Sequence, residues 1–469
     1  MTTLTTQPTK TFRIVTYGCQ MNEHDSEIMA GLLQGRGYQP VESDDADILL
    51  FNTCTVRDGA EQRAYGRINT LVNLKKPGSI IGVCGCAAQD QGLALLEKFP
   101  HIDLVVGTRD YVKIDALIDE VERTNQRFVS VEDIDQPLSL PTLPARRSGL
   151  KAFVNIMFGC NNRCTFCIVP QTRGEEYSRP LQDIVTEVQE LVAKGYREVT
   201  LLGQNVNSYV DANRADFSDL LHALNEIEGL WRIRYTTSNP KSARSRHLSA
   251  IAECAKVMEN LHLPVQSGND RILREMKRAY NISRYHYLVD MYRDLVPGGA
   301  ITTDMIVGFP SETEEEFKDT LLLTEKVRYD QQFMFMYSPR KGTVAADTMR
   351  NDVPMEVKKN RLQQLIDLQE AISLELNQAE VGRVHEVLAE NFARRGEGEL
   401  YGRTRTDKPI VFPGTDEMVG KIVAVRVEAA WKNTLKGTPL GIVTKFQNRL
   451  TDAVEFTPFG AAEPLVSRP

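Results

Sequence analysis

Residues 151–167 read KAFVNIMFGCNNRCTFC. The apolar run Phe153–Met157 predicts a buried strand, and the loop after it carries Cys160, Cys164 and Cys167 in the spacing C-x3-C-x2-C. Three thiolates on one short loop can hold three corners of a 4Fe–4S cube and leave the fourth iron open. The alternatives are a zinc site that lacks a ligand and three unrelated thiols. No histidine or fourth cysteine lies nearby at zinc spacing, so the pattern favours the cluster.

The cysteine loop follows the first strand of a segment in which strands and helices alternate. Strands are predicted at Phe153–Met157, Glu198–Leu202, Arg232–Thr236, Asn260–Leu263, Ile301–Val307 and Gln332–Tyr337. Six such units fit an incompletely closed, six-stranded relative of the TIM barrel, a (β/α)6 architecture. In such barrels the carboxyl ends of the strands carry the chemistry, which is where the cysteine loop lies.

The flanking segments have different patterns. Strands and helices also alternate over residues 1–130, which predicts a separate parallel α/β domain. Prolines interrupt the pattern over 131–148, the predicted linker to a barrel domain at 149–378. Short valine-rich runs divided by glycine and proline predict a small β-barrel over 379–446, followed by a tail at 447–469. The fold class is therefore α/β with a C-terminal β-barrel.

Composition limits the classes of function. The chain has 56 Lys and Arg residues and 63 Asp and Glu residues, which gives a formal charge of −7. This charge excludes a protein that binds nucleic acid through a uniformly basic surface, but it does not exclude a local basic patch. The 8 cysteines in 469 residues are too few for a disulfide-stapled secreted scaffold. No signal-peptide pattern opens the chain and no run is long and apolar enough to span a bilayer. We expect a cytoplasmic protein with reduced thiols.

A second group of cysteines is dispersed. Cys19, Cys54 and Cys86 each follow a predicted strand of the first domain. The carboxyl ends of parallel strands share one edge of a sheet, so the three thiols could converge and hold another cluster with an open iron. Three buried structural thiols are an equal alternative, because the residues do not reveal the strand order.

Polar side chains follow several strands of the predicted barrel. Gln204 and Asn205 end the second strand, His262 follows the fourth and Asp304 lies in the fifth. Such a group at successive strand ends predicts a ligand site. The charges of the loop 168–180, after the cysteines, fit either a solvated loop or a contact to a ligand.

The cysteine loop resembles the signature of radical S-adenosylmethionine enzymes. The first domain, with YGCQMN at 17–22, NTCTVR at 52–57 and GCAAQ at 85–89, resembles that of the methylthiotransferase family within this superfamily. The resemblance implies a methylthiotransferase domain, a radical S-adenosylmethionine domain and a TRAM-like RNA-binding domain in this order along the chain.

The same resemblance implies the site residues. Cys160, Cys164 and Cys167 would be the catalytic cysteines, holding a 4Fe–4S cluster that binds and cleaves S-adenosylmethionine, with Phe166 beside the adenine of the cofactor. Gln204, Asn205, His262 and Asp304 would be further cofactor contacts. Cys19, Cys54 and Cys86 would hold a second 4Fe–4S cluster that supplies sulfur.

The motif Cys19-Gln20-Met21-Asn22 is similar to that of family members that act on tRNA. The implied reaction adds a methylthio group to carbon 2 of N6-dimethylallyladenosine at tRNA position 37. The alternatives are a ribosomal-protein aspartate as substrate and a non-catalytic iron–sulfur protein that binds RNA. The implied partners are the anticodon stem-loop of tRNA and a one-electron donor such as flavodoxin or ferredoxin, with no membrane. We expect a monomer.

Several positions complicate the resemblance. Cys84 lies two residues before Cys86, which places both on the same face of a strand. Only Cys86 is in the Ala-Gln context of the family, so we assign Cys86 to the cluster. Asn239 stands where a histidine is expected, and Thr434 where serine is usual. The segment Tyr401–Lys408 interleaves an aromatic side chain with cations, a mixture suited to phosphates and unpaired bases.

Overall fold

The computed structural model describes residues 10–55, 58–72, 75–131, 145–146, 149–443 and 454–459. Most of the predicted linker and tail therefore lies outside the described residues. The chain divides into two compact units. The first comprises Met1–Arg179, Leu202–Gln204 and Arg340–Thr343, and the second comprises Pro180–Leu201, Asn205–Pro339 and Val344–Pro469. In the described part, no helix is both long and apolar enough to cross a membrane.

A six-stranded parallel sheet forms the core of the first unit. Its strands are β1 (Thr11–Tyr17), β2 (Gln39–Pro40), β3 (Ile48–Thr53), β4 (Ile80–Gly85), β5 (Leu104–Val106) and β6 (Phe128–Ser130), in the order β2-β1-β3-β4-β5-β6. The helices are α1 (Gln20–Gly35), α2 (Asp58–Thr70), α3 (Cys86–Gln91), α4 (Leu93–Lys98) and α5 (Ile114–Thr124). Every pair of neighbouring strands is parallel, which confirms the predicted α/β sheet.

Strands β3 and β4 are buried along their whole length. Leu50 contributes to a core that also contains Ile28 of α1, whereas Phe51 contributes to the opposite core, which contains Tyr65 of α2. Helices therefore cover both faces, which is why these central strands read as continuous apolar runs.

The first unit also contains the entry to the central barrel. This part comprises β7 (Lys151–Asn155), β8 (Met157–Phe158), α6 (Val169–Arg173) and β9 (Tyr177–Ser178). The strand predicted at Phe153–Met157 is interrupted at Ile156, whose N–H donates to the Leu202 carbonyl. Beyond it, β8 pairs with β9 in antiparallel fashion and frames the cysteine loop.

The second unit contains the other barrel strands and their helices. The elements are α7 (Leu181–Ala193), β10 (Glu198–Leu202), α8 (Phe217–Asn225), β11 (Arg232–Thr236), α9 (Ser245–Glu253), β12 (Asn260–His262), α10 (Asp270–Glu275), α11 (Ile282–Leu295), β13 (Ala300–Val307), α12 (Glu314–Val327), β14 (Gln331–Met336), α13 (Val344–Thr348) and α14 (Met355–Gln378). Strand β10 neighbours β11, and β12, β13 and β14 form a parallel sheet. With β7 this gives the six strands of the predicted partial barrel.

The chain ends in a small β-barrel of β15 (Val384–Phe392), β16 (Glu399–Arg403), β17 (Pro409–Pro413), β18 (Ile422–Ala430) and β19 (Leu435–Val443), with β20 (Phe456–Pro458) added to β19. Pairing of β17 with β19 closes it. Val387, Phe412 and Val425 belong to its core. The predicted C-terminal barrel is confirmed.

Candidate active site

Three neighbouring strands of the first unit carry Cys19, Cys54 and Cys86 at one edge. Tyr17 of β1 is aligned with Thr53 of β3, and Thr53 is aligned with Gly85 of β4. Each cysteine follows its aligned residue by one or two positions. Because neighbouring strands lie about 4.8 Å apart, the three cysteines enter the same small region.

A pair of buried amides holds these strand ends together. Asn22 Oδ1 lies 3.3 Å from Cys19 Sγ, and Asn22 Nδ2 donates to Asn52 Oδ1 at 3.1 Å. Asn52 Nδ2 donates to the Asn22 carbonyl at 2.7 Å and to Ser26 Oγ at 2.9 Å. Gly85 has φ +89°, and a Cβ there would lie 2.2 Å from Asn52 Oδ1. The approach of β4 to the amides therefore requires glycine.

The two cysteines that lie outside both groups are core residues. Cys84 is fully buried in the core that contains Leu50, and burial raises the pKa of its thiol to about 12. The expectation that Cys84 shares a strand face with Cys86 is wrong, because β4 ends at Gly85 and Cys86 begins α3. Cys254 is buried.

The second cysteine group lies on a loop that folds back on its own continuation. Cys160 N–H donates to the Gly174 carbonyl at 3.1 Å, and Cys167 N–H donates to the Cys164 carbonyl at 3.1 Å. Gly159 has φ +69°, and a Cβ there would lie 2.0 Å from the Glu175 carbonyl oxygen. The three thiols are half-buried, so a ligand can reach them while the protein shields part of it.

The two groups of three cysteines suit 4Fe–4S clusters better than single metal ions. Within the described ranges, no three His, Cys, Asp or Glu side chains are arranged to hold one metal ion. A cube receives its thiolates at separate corners, so its ligands stand farther apart. Cys86 and Cys19 are close enough to interact electrostatically, as are Cys160 and Cys164. Each group offers three thiols, which leaves one corner open.

Arg173 is a site residue that the sequence did not single out. It ends α6 with 5% of its side chain exposed, and its Nη2 lies 2.7 Å from Oδ2 of the buried Asp25. Burial raises the pKa of the Cys86 thiol, and the neighbouring guanidinium of Arg173 opposes this shift. The same guanidinium interacts with Cys19. The loop 168–180 is therefore not simply solvated: one of its cations belongs to the N-terminal cysteine site.

His262, the last residue of β12, lies beside Asp304 in the middle of the neighbouring strand β13. His262 Nδ1 is 2.9 Å from Thr302 Oγ1, and His262 Nε2 is 3.7 Å from Asp304 Oδ2. The ring of Phe333 packs edge-on against His262 with centroids 5.7 Å apart. The structure therefore joins two of the predicted polar residues into one group that can donate and accept hydrogen bonds.

Three further predicted residues have individual environments. Gln204 Oε1 and Asn205 Oδ1 are buried acceptors without a hydrogen-bond partner in the described part of the chain. Asn205 Nδ2 donates to Ser242 Oγ at 3.0 Å, which fixes the side chain while its oxygen stays unused. Phe166 is half-buried in the cysteine loop. A buried acceptor without a partner can take a hydrogen bond from a bound ligand or from water.

Asn239, where a histidine was expected, has a local structural role. Its Oδ1 accepts from Lys241 N–H at 3.1 Å, and its own N–H donates to Asn207 Oδ1 at 2.9 Å. The side chain is buried and closes a turn after β11.

The segment Tyr401–Lys408 does not present all of its cations to RNA. Arg405 is buried and binds both carboxylate oxygens of Glu259, at 2.7 and 2.8 Å. Lys408 is buried and its Nζ lies 2.9 Å from Asp330 Oδ1. Glu259 and Asp330 precede β12 and β14, so the segment packs against the amino ends of barrel strands. The prediction of phosphate contacts is wrong for these two cations, because the barrel already neutralises them.

Three family models match successive parts of the chain. The family described as "Uncharacterized protein family UPF0004" matches residues 11–107, the radical SAM superfamily matches 154–324 and the TRAM domain matches 378–440. Among solved structures, the fold is similar to the radical S-adenosylmethionine methyltransferase TsrM from Kitasatospora setae. The TM-score is 0.52 at 15% identity, over 72% of this chain and 77% of that one. At this identity the likeness shows the fold alone.

Curated relatives match nearly the whole chain. The tRNA-2-methylthio-N(6)-dimethylallyladenosine synthase of Carboxydothermus hydrogenoformans is 46% identical over 89% of this chain and 96% of its own length. That of Moorella thermoacetica is 46% identical over 91% and 98%. A parallel domain with three edge cysteines, a partial barrel with a C-x3-C-x2-C loop and a TRAM domain define a radical S-adenosylmethionine methylthiotransferase. Within that class, the chain belongs to the family of tRNA-2-methylthio-N(6)-dimethylallyladenosine synthases.

Proposed function

We propose that this chain adds a methylthio group to carbon 2 of N6-dimethylallyladenosine at position 37 of tRNA. The observation that carries the proposal is the alignment of Tyr17, Thr53 and Gly85, which brings three cysteines to one strand edge. When bound, two 4Fe–4S clusters and S-adenosylmethionine supply the one-electron chemistry and the sulfur. The target aromatic C–H is not acidic, so side-chain acid–base catalysis could not replace them.

Each cysteine group has its own role. Cys160, Cys164 and Cys167 would hold the cluster that supplies the electron for cleavage of S-adenosylmethionine. Their half-buried position supports this, since a cofactor must reach them. The group of Cys19, Cys54 and Cys86 holds the sulfur-supplying cluster, and the amides of Asn22 and Asn52 fix the backbone that carries it.

The polar residues at the barrel strand ends orient the cofactor. The unused acceptors of Gln204 and Asn205 take hydrogen bonds from it, and His262 with Asp304 supplies a paired donor and acceptor. Phe166 packs its ring against the adenine.

The small β-barrel contacts the anticodon stem-loop of tRNA. Arg405 and Lys408 are already paired with carboxylates. Exposed cations elsewhere on this barrel, such as Arg394, Arg395 and Lys421, therefore bind the RNA phosphates. A flavodoxin or ferredoxin supplies electrons, and the chain works as a monomer in the cytoplasm, where its tRNA substrate is found.

Nucleoside analysis of tRNA tests the proposal. A strain that lacks the gene should accumulate N6-dimethylallyladenosine without the methylthio group, and the intact gene should restore the modification. Triple alanine variants of either cysteine group should fail to restore it, whereas Cys254→Ala should succeed. Methylthio-tRNA that persists in the deletion strain would refute the proposal. A methylthio group missing instead from a ribosomal-protein aspartate would support the alternative substrate.

A further inference from the structure

We propose that Arg173 is a positioning residue for the cluster at Cys19, Cys54 and Cys86, whose reduction potential it raises through a fixed buried positive charge. The inference rests on the proposed function, because it requires a cluster at these three cysteines. It concerns a residue of the barrel entry that acts on a site formed by the N-terminal sheet.

The guanidinium is held in place away from water. Arg173 has 5% and Asp25 has 1% of the side chain exposed, and their closest N–O distance is 2.7 Å. The same guanidinium is a hydrogen-bond partner of the Cys86 thiol. The donors of a buried guanidinium need acceptors, and the sulfur atoms of a bound cluster would be acceptors at this place.

Arg173 lies closer to the cysteines than Asp25 does. Helix α6, which ends at Arg173, packs against α3, which begins at Cys86. The guanidinium is a hydrogen-bond partner of the Cys86 thiol, whereas Asp25 acts on that thiol only through its charge. Asp25 therefore anchors the cation without standing between it and the sulfur.

The backbone around Arg173 forms hydrogen bonds with the N-terminal sheet domain and with the loop that carries Cys160. Thr108, after β5, donates its hydroxyl to the Thr172 carbonyl, and Arg109 Nη2 donates to the Arg173 carbonyl at 3.3 Å. On the other side, the Gly174 carbonyl accepts from Cys160 N–H at 3.1 Å. One short stretch thus binds the first cysteine of one group through its backbone, and through the Arg173 side chain it interacts with Cys86 and Cys19 of the other group.

The electrostatic consequence has a definite sign. One-electron reduction of a 4Fe–4S cluster held by three thiolates makes its net charge more negative by one, in a mostly buried site. A nearby cation stabilises the reduced form more than the oxidised form, which raises the reduction potential. Hydrogen bonds to sulfur act in the same direction. Loss of the cation should therefore make this cluster harder to reduce.

The test uses the full-length chain with Cys160, Cys164 and Cys167 changed to alanine, so that only the N-terminal cluster is loaded anaerobically. Its midpoint potential is measured by dithionite titration followed by electron paramagnetic resonance. We expect Arg173→Gln to shift the potential to more negative values and Arg173→Lys to retain most of the original value. Arg361→Gln is the matched control: Arg361 is also 5% exposed, and it pairs with Glu312 at 2.9 Å. It should leave the potential unchanged.

An Arg173→Gln protein with unchanged potential would overturn the inference, as would equal shifts in the Gln and Lys variants. If Arg173→Gln binds no iron, the iron content of Arg173→Lys tests the inference instead. Iron binding by the Lys variant would support the role of the positive charge, and failure of the Lys variant to bind iron would refute it. A parallel variant in the same background changes Cys19, Cys54 and Cys86 to alanine. Iron that persists in that variant would refute the proposed function itself, whereas its loss leaves only the role of Arg173 in question.

Discussion

Asn22 and Asn52 form a side-chain hydrogen bond of 3.1 Å beside the strand ends that carry Cys19 and Cys54. Both amides are fully buried. Asn52→Leu removes this bond and the bond from Asn52 Nδ2 to the buried Asn22 carbonyl, and it leaves Asn22 Nδ2 with only its longer bond of 3.3 Å to the Thr53 carbonyl. We therefore expect a loss on the order of 1–3 kcal/mol in the free energy of unfolding. Anaerobic urea unfolding measures it. The exposed Asn69→Leu should stay within about 0.5 kcal/mol of the parent, and an equal loss in both variants would contradict this account.

Cys84 and Cys86 should respond oppositely to alanine substitution. Cys84→Ala removes one buried sulfur from the core, with an expected cost of about 1 kcal/mol and full iron content. Cys86→Ala should lose roughly half of an expected total of about eight iron per chain. Iron analysis after anaerobic reconstitution, with an unfolding curve for each variant, separates the two. Normal iron in Cys86→Ala would show that the wrong cysteine has been assigned.

Gly159→Ala should disrupt the C-x3-C-x2-C loop. The backbone has φ +69°, and the new Cβ would lie 2.0 Å from the Glu175 carbonyl oxygen, so Gly174 and Glu175 must move away from Cys160. We expect loss of S-adenosylmethionine cleavage, measured as 5′-deoxyadenosine release. Gly66→Ala is the control, since that helical glycine has open space around it and should gain about 0.5–1 kcal/mol of stability. A fully active Gly159→Ala enzyme would contradict the predicted strain.

Glu312 should make stability depend on pH. Burial raises its pKa from 4.5 to about 7, against the opposing effects of Gly308 N–H and Arg361. Between these values the folded state binds the proton and the unfolded state releases it, so the free energy of unfolding falls as pH rises. Relative to Glu312→Gln, the parent should lose on the order of 3 kcal/mol between pH 4.5 and 7. Parallel pH profiles of the two proteins would contradict this.

Arg405 should be required for folding rather than for RNA contact. Arg405→Gln leaves Glu259 and the nearby Glu386 buried without their cation, so we expect a loss of about 3–5 kcal/mol in the free energy of unfolding. Arg426 in the same small barrel is exposed, and Arg426→Gln should change it by less than about 0.5 kcal/mol. Thermal and urea unfolding measure both. Equal stability of the two variants would show that the buried pair contributes nothing.

Much of the fold follows from local pattern. The apolar runs of β3 and β4 mark central parallel strands, and the cysteines directly after them mark the sheet edge. The sequence could not supply the strand order, on which the convergence of Cys19, Cys54 and Cys86 depends. Strand order is set by packing between distant segments, as in the alignment of Thr53 with Gly85.

The roles of individual cations were harder to predict. Arg405 and Arg173 both lie in segments rich in polar and charged residues, yet each is buried against a carboxylate more than 140 residues away, Glu259 and Asp25 respectively. A solvated cation and a neutralised one look alike in sequence, because the partner is brought in by the fold. The signal that distinguishes them is burial, which only the three-dimensional structure gives.

The ion pair of Arg173 with Asp25 also bears on how far the N-terminal domain can act as an independent module. A fragment that ended near residue 130 would keep all three of its cysteines and Asp25, yet it would lack the guanidinium that stands between them. Such a piece would keep the carboxylate and the three thiols without the cation that pairs with Asp25. Grafting this domain onto another barrel would therefore require a matching arginine from the new host.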